Sequence, residues 1–384
     1  MKLAIITTHP IQYYAPVFKL LHERKQVEIN VFYTWGEGSQ KGYDPGFNKN
    51  VQWDISLLDG YPYEWVKNTS VNPGSHNFKG VINPGLLNQI EAYKPDAILI
   101  YGWAYSGHLK AIRYFKNKVP VFFRGDSTLL NEQKGIKSLL KSIFLKWVYS
   151  HIDRAFYVGT NNKVYFKRYG LKDDQLSFAP HSIDNARFQT DQSQQAQELR
   201  SSLNIPTDDI LILYAGKFEP VKNVKTLVAA FANITQPTVH LLLVGNGVDE
   251  ADLISYVKAN GIKRLYFLNF VNQSYIPSVY QAADIYCLPS ISESWGLAVN
   301  EAMACGKVVL VSDRVGCAID LVIPGKNGDI FEAANVGDLT KKLIKLVSKG
   351  KSGLLQMGEC SRQIIKDWNF ETQVKTIEKV LNEN

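Results

Sequence analysis

The sequence predicts an α/β protein made of two successive open sheets of parallel strands. Short apolar runs alternate with longer amphipathic segments, the β-α-β rhythm of a parallel sheet. That rhythm is interrupted by a polar, Gln-rich stretch, Gln189–Gln197, and then restarts. The chain has 384 residues, enough for two cores at roughly 150 residues per domain.

In the first half, strands are expected over Leu3–Ile6, Glu28–Phe32, Ala97–Tyr101, Val119–Phe123 and Ala155–Val158, with helices over Tyr14–Glu23 and Leu139–Tyr149. Gly36–Pro73, rich in Gly, Pro, Trp and Tyr, fits only loop or irregular strand. In the second half, strands are expected over Ile210–Tyr214, Val239–Val244, Leu265–Leu268 and Ile285–Leu288. Helices over Val224–Ala232, Asp249–Ala259 and Ile276–Ala283 separate them. Gln189–Gln197 reads as a linker or an exposed helix. Open α/β sheets hold ligands at the carboxyl ends of their strands, so a cleft between the two domains is the expected site.

Composition narrows the class. Hydrophobic residues make up 45% and charged residues 21%, as in an ordinary soluble globular protein. The net charge of +7 favours phosphates or an anionic surface. No basic run is dense enough for a nucleic-acid tail, so no nucleic-acid partner is expected. The four cysteines, Cys287, Cys305, Cys317 and Cys360, form no Cys-x-x-Cys pair, which points to a reducing cytoplasm rather than a disulfide framework. The apolar start at Leu3–Ile6 is too short for a signal-peptide core. No apolar run reaches the length of a membrane span.

Two stretches of the second half carry chemistry. In Gly216-Lys217-Phe218-Glu219-Pro220-Val221-Lys222-Asn223 a buried strand ends at a glycine, which allows close backbone approach. Lys217 and Lys222 follow, suited to a diphosphate; taken alone they fit a solvated surface loop equally well. In Ser292-Glu293-Ser294-Trp295-Gly296-Leu297-Ala298-Val299-Asn300-Glu301, seven residues separate two glutamates. Helical periodicity begins near Gly296 and stops at Gly306, so Glu293 lies in the preceding loop and Glu301 on the helix. The N–H groups around Gly296–Ala298 form an anion site. Glu293 suits sugar hydroxyls and Glu301 a ribose. Read blandly, Glu293 is a cap and Glu301 an exposed helix residue.

Together these residues resemble glycosyltransferase family 4. The resemblance covers most of the second half: Gly216, Lys217 and Lys222, then Gly245-Asn246-Gly247, Ala283-Asp284, the paired glutamates, Ala304-Cys305-Gly306-Lys307, and Pro324-Gly325-Lys326-Asn327-Gly328. Trp368-Asn369-Phe370 matches the start of the final helix, which in that family crosses back to the first domain. Asn223 stands where glycine is common, and Val315-Gly316-Cys317 replaces paired glycines. The resemblance implies the GT-B fold: two Rossmann-like domains facing a cleft. The N-terminal acceptor-binding domain would cover 1–188 plus 368–384, and the C-terminal nucleotide-sugar domain 189–367.

It further implies a retaining glycosyltransferase using a nucleotide diphosphate sugar, UDP- or GDP-linked, with a glycan or lipid-linked acceptor. Lys217 and Lys222 would hold the diphosphate, Glu301 the ribose and Glu293 the transferred sugar. Gly296 and Leu297 would offer backbone amides, and Phe270 and Val271 would lie beside the base. In the first half His9, His108 and Asp126 are candidates for the cleft, and His108 is expected to be catalytic alongside Lys217, Lys222 and Glu293. His9 sits in Thr7-Thr8-His9-Pro10-Ile11-Gln12, where relatives often carry a Gly-rich loop, and fits a packing histidine as well.

No Asp-x-Asp pair occurs, so neither a metal nor another cofactor is expected. Fixed cations and a helix N-terminus must then stabilise the leaving group. Residues 134–148 are basic and amphipathic, suited either to peripheral contact with an anionic membrane at its inner face or to ordinary core packing. Other readings of the same motifs are a GT-B sugar-nucleotide epimerase and a non-catalytic sugar-nucleotide binding module.

Overall fold

A computed structural model describes residues 1–37, 42–44, 49–132 and 135–383. The chain runs β1 (Lys2–Thr7), α1 (Ala15–Glu23), β2 (Glu28–Tyr33), the short pair β3 (Gly42–Asp44) and β4 (Lys49–Val51), β5 (Tyr63–Trp65), α2 (Leu86–Tyr93) and β6 (Ala97–Tyr101). It continues through α3 (Ser106–Phe115), β7 (Val121–Arg124), α4 (Ile136–Tyr149), β8 (Arg154–Tyr157), α5 (Thr160–Arg168) and β9 (Leu176–Phe178). Next come α6 (Asn185–Gln189), α7 (Ser193–Ser202), β10 (Ile210–Ala215), α8 (Val224–Phe231), β11 (Val239–Val244), α9 (Glu250–Ala259), β12 (Leu265–Leu268), α10 (Ile276–Ala282) and β13 (Ile285–Leu288). The remainder is α11 (Leu297–Ala304), β14 (Val308–Ser312), α12 (Ala318–Leu321), β15 (Gly328–Phe331), α13 (Val336–Val347), α14 (Gly350–Ile365) and α15 (Phe370–Asn382).

These elements form two compact units. The N-terminal unit comprises Met1–Gly42, Ile55–His181 and Phe370–Asn384; the C-terminal unit comprises Tyr43–Asp54 and Ser182–Asn369. The chain thus passes into the C-terminal unit after His181, ahead of the expected boundary at 188, because Phe188 of α6 packs against Tyr280 of α10. Of the two readings of the Gln-rich stretch, the exposed helix holds rather than the linker: α7 begins at Ser193, with Gln194, Gln195 and Gln197 exposed. Gln192 accepts from the Ser278 hydroxyl, and its N–H donates to Gln281 Oε1 at 2.9 Å. Helix α7 then buries Ala196, Leu199 and Arg200.

In the N-terminal unit seven strands lie in the order β5-β2-β1-β6-β7-β8-β9, every pairing parallel. Strands such as β6 are buried along their whole length, which explains their unbroken apolar sequence. Val374, Ile377, Val380 and Leu381 of α15 join Leu3, Ile5, Phe18 and Leu21 in one core. The final helix therefore does cross back. Arg24, just past α1, fastens it by donating from Nε and Nη2 to Glu378 and from Nη1 to Glu371, at 2.8–2.9 Å.

In the C-terminal unit six strands lie in the order β12-β11-β10-β13-β14-β15, also all parallel. Successive strands are added on one side of β10 as far as β12, and on its other side from β13 onward. The boundary between β10 and β13 is thus the topological switch point, where the loops leaving the two strands diverge and open a ligand crevice.

Candidate functional site

The loop after β10 carries Gly216, Lys217 and Lys222. Its shape is set by a close approach to the loop after β11. Gly245 has φ +140°, and a Cβ there would lie 1.9 Å from the Gly216 carbonyl oxygen, so no larger residue fits. The Tyr214 hydroxyl donates to the Lys217 carbonyl at 2.6 Å. Burial, with Glu293 nearby, holds that phenol far above its ordinary pKa, so it stays a neutral donor. Asn223 adopts the left-handed region at φ +53°, which asparagine tolerates better than most residues. Its side-chain amide donates to the Pro289 carbonyl at 3.3 Å, which ties the two loops together.

The loop after β13 carries Glu293, and it is held from the far side by residues 314–317. Glu293 N–H donates to the Arg314 carbonyl at 3.2 Å, Gly316 N–H to the Glu293 carbonyl at 3.0 Å, and Cys317 N–H to the Trp295 carbonyl at 3.0 Å. A Cβ on Gly316 would lie 1.8 Å from the Ser294 carbonyl oxygen. The single glycine of Val315-Gly316-Cys317 thus sits where close approach demands it. Trp295 is buried; its indole donates to Asn300 Oδ1 at 2.9 Å and its ring lies 5.0 Å from that of Trp368.

Across the switch point Lys222 Nζ donates to Glu293 Oε2. Both side chains are partly buried, at 22% and 18% exposure, so a cation and a carboxylate stand together at the mouth of the sheet. Gly296, at φ +98°, caps the N-terminus of α11, so the N–H groups of Leu297 and Ala298 lead the helix. Glu301, one turn further along α11, is only 5% exposed. It accepts a 2.8 Å bond from the Tyr280 hydroxyl, so it is not the exposed helix residue of the blander reading.

Phe270 and Val271 follow β12 and are partly buried. Phe270 N–H donates to Asn246 Oδ1 at 2.8 Å. Facing Phe270 is Trp53, with ring centroids 6.2 Å apart. Trp53 belongs to the Tyr43–Asp54 segment, which is stitched to the C-terminal unit by hydrogen bonds to Asn272 and Ser274. Asp54 accepts from the Ser274 N–H at 3.1 Å, and the Asn272 amide donates to the Gln52 carbonyl at 2.7 Å. Sequence reasoning missed Trp53, Tyr280 and Asn246; only Asn246, inside Gly-Asn-Gly, carried any signal.

Gly216, Lys217 and Lys222 follow β10, Phe270 and Val271 follow β12, and Glu293, Gly296, Leu297 and Glu301 follow β13, all beyond the carboxyl ends of parallel strands of the C-terminal sheet, with Lys222 and Glu293 in direct contact. His108 belongs to the N-terminal unit and differs in kind. It is wholly buried, with Nε2 2.7 Å from the Thr34 hydroxyl and Nδ1 2.9 Å from the Gly102 carbonyl oxygen. Burial lowers its pKa to about 4. Both ring nitrogens are engaged within the fold, which gives His108 the geometry of a structural imidazole holding the turn after β6. His9 has its Nδ1 2.9 Å from the Thr8 hydroxyl and its ring edge on Trp35 at 5.0 Å; burial first, then His76, lowers its pKa to about 4. Asp126 is partly buried after β7.

Among the described residues no three His, Cys, Asp or Glu side chains gather into a group that could hold a metal ion. No helix among them is long and apolar enough to cross a membrane.

Residues 195–363 match the family model described as Glycosyl transferases group 1, which spans the strands, loops and helices of this site. The chain is 29% identical over 171 residues to an uncharacterized glycosyltransferase of Methanocaldococcus jannaschii, covering 44% of this chain and 47% of that protein. It is 30% identical over 161 residues to the D-inositol 3-phosphate glycosyltransferase of Mycolicibacterium smegmatis, covering 40% and 36%. The match thus spans less than half the length of these curated relatives. Among solved structures, HepE of Anabaena in complex with UDP superposes with a TM-score of 0.75 at 18% identity, each chain covered in full. That likeness establishes the fold: two Rossmann-like α/β domains of the GT-B type.

Proposed function

We propose that the protein is a retaining glycosyltransferase that moves a sugar from a nucleotide diphosphate donor, UDP- or GDP-linked, to a glycan or lipid-linked acceptor, without a metal ion. The observation that carries this reading is the Lys222–Glu293 pair at the switch point, with the N-terminus of α11 beside it. Transfer breaks the bond between the sugar C1 and the diphosphate oxygen, so negative charge grows on the leaving group. Lys217, Lys222 and the N–H groups of Gly296 and Leu297 are suited to stabilise that charge before the reaction begins. Glu293 grips hydroxyls of the sugar, Glu301 the ribose, and Phe270 and Val271 flank the base.

Retention follows if the acceptor hydroxyl attacks C1 on the face the diphosphate leaves. The acceptor proton then passes to the departing phosphate oxygen, and a nucleoside diphosphate is released. This route needs charge stabilisation and substrate placement, and asks for no separate general base. The N-terminal unit then holds the acceptor, and His108 serves it through the Gly102 turn, as a positioning residue rather than a catalytic one. We place the enzyme in cell-surface polysaccharide synthesis at the cytoplasmic face of a membrane.

The test begins with UDP-sugars, because HepE is solved with UDP, and extends to GDP-sugars. Proton NMR of the product from an α-linked donor should show an α linkage; a β linkage overturns the mechanism. Turnover should persist in excess EDTA; loss restored by added magnesium or manganese overturns metal independence. A donor interconverted to its epimer without an acceptor overturns the transferase reading.

A further inference from the structure

Helix α4 has two apolar faces, where an ordinary surface helix has one. Leu145, Val148 and Tyr149 turn into the core of the N-terminal unit. On the opposite side Ile136, Leu139, Leu140 and Ile143 are 80%, 62%, 63% and 59% exposed, and Phe144 and Trp147 are each 39% exposed. At about 100° per residue these six side chains fall within one arc of about 140°. Lys137 and Lys141 border one edge of that arc and Lys146 the other, and the helix contains no Asp or Glu. Arg113 of α3 stands over the Trp147 ring at 5.4 Å and adds positive charge near the C-terminal end. Glu132 lies 3.9 Å from Lys141. Of the 134–148 stretch, Lys134 lies outside the described residues.

Soluble proteins rarely leave a contiguous apolar patch of this kind in water. A second copy of the chain is a poor occupant. A two-fold contact would set the same face against itself, bringing the lysine rims of both copies together. An anionic lipid surface does the reverse. It neutralises the rims, lets the lysine stems lie along the helix with their heads at the phosphates, and takes the apolar arc into the acyl boundary. Trp147 near the helix end suits the interface, where its ring is apolar and its N–H stays wet.

We propose that this face of α4 seats the protein on a bilayer containing anionic phospholipid. Ile136, Leu139, Leu140 and Ile143 enter the acyl boundary, and Lys137, Lys141 and Lys146 meet lipid phosphates. The inference deepens the membrane part of the proposed function. It does not depend on the transfer chemistry, whose residues lie in the C-terminal unit, so an inactive enzyme that still binds vesicles refutes only the activity.

The test is cosedimentation of the purified full chain with phosphatidylcholine vesicles, with and without phosphatidylglycerol. Binding should require phosphatidylglycerol and weaken with salt. Leu140→Glu with Ile143→Glu should weaken it more than tenfold. Lys137→Gln and Lys141→Gln should each weaken it about fivefold, taking roughly 1 kcal/mol per basic residue near an anionic surface. Thermal melting checks that these exposed substitutions leave the fold intact. The proposal is overturned if the wild type ignores both vesicles, binds both equally, or binds as well after the double glutamate substitution. It is also overturned if the double substitution converts a dimer to a monomer in analytical ultracentrifugation while the wild type binds no vesicle.

Discussion

Lys222 and Glu293 meet although they stand 71 positions apart in sequence, because they leave adjacent strands, β10 and β13, on either side of the switch point. The pair holds a cation where leaving-group charge would grow and keeps a carboxylate extended beside it. Lys222→Ala should therefore lower kcat by about 100- to 1000-fold, with a smaller effect on donor affinity. Steady-state kinetics beside donor titration calorimetry separate the two; near-normal turnover removes Lys222 from the mechanism.

Tyr280 supports Glu301 from a neighbouring helix with a 2.8 Å bond. Tyr280→Phe keeps the ring and removes the donor to a buried carboxylate, a change of about 1.5 kcal/mol. Donor KM should rise roughly tenfold with kcat little changed. A fall in kcat at constant KM contradicts the assignment of Glu301 to the ribose.

Trp53 faces Phe270, where the base is proposed to lie. Base stacking on an aromatic ring contributes about 1–3 kcal/mol, so Trp53→Ala should raise donor KM by at least fivefold and leave the anomeric outcome unchanged. Unaltered KM for every nucleotide sugar tried places the base elsewhere.

Gly245 carries a packing constraint that can be tested without substrate. Its φ of +140° and the 1.9 Å that would separate an added Cβ from the Gly216 carbonyl oxygen mean that Gly245→Ala must move one loop or the other. A loss of at least about 2 kcal/mol is expected, lowering Tm by roughly 4–8 °C. An unchanged melting curve shows that the loops yield easily.

Acid should loosen the N-terminal unit first. Burial lowers the pKa of His9 and His108 to about 4 and takes His181 well below its ordinary value. The unfolded chain binds protons near pH 6.5 while the folded unit does not. Stability from neutral burial is thus fully present above pH 6.5 and declines as pH falls from 6.5 toward 4. Circular dichroism melts across that range should show Tm falling, and His108→Gln should make the fall shallower. A flat Tm from pH 7 to 4 contradicts the assignment.

The strands easiest to read from sequence were those buried on both faces. Val239–Val244 and Ile285–Leu288 have the expected bounds because an unbroken apolar run has one stable placement in such a sheet, and the partly buried edge strand Leu265–Leu268 has them too. Tyr63–Trp65 falls within the stretch that fits only loop or irregular strand, and Leu176–Phe178 carries no strand pattern of its own. Each has three residues, only partly buried or exposed, and is defined by its neighbour rather than by its own pattern. Val308–Ser312 carries an equally plain apolar run, buried along its length. At the site, residue types and spacing announced the lysines and the paired glutamates, yet gave no hint of their tertiary partners. Tyr280 and Trp53 are ordinary aromatics until the chain folds. His108 shows the converse. Its place after a strand makes it a candidate for the cleft, and nothing in its spacing announces the Thr34 hydroxyl and Gly102 carbonyl that its two ring nitrogens meet once the chain folds.

The return of α15 to the core begun by β1 has a consequence for biosynthesis. Val374, Ile377, Val380 and Leu381 are made after the whole of Ser182–Asn369, so the first unit to be translated is the last that can close. At 5–20 residues per second the wait is roughly 10–40 s. During it the nascent chain holds Leu3, Ile5, Phe18 and Leu21 without their final cover, while the C-terminal unit has all its strands in hand and can fold ahead. The usual vectorial order is thus reversed, and the exposed seam on the unfinished N-terminal sheet is where a ribosome-associated chaperone would be needed.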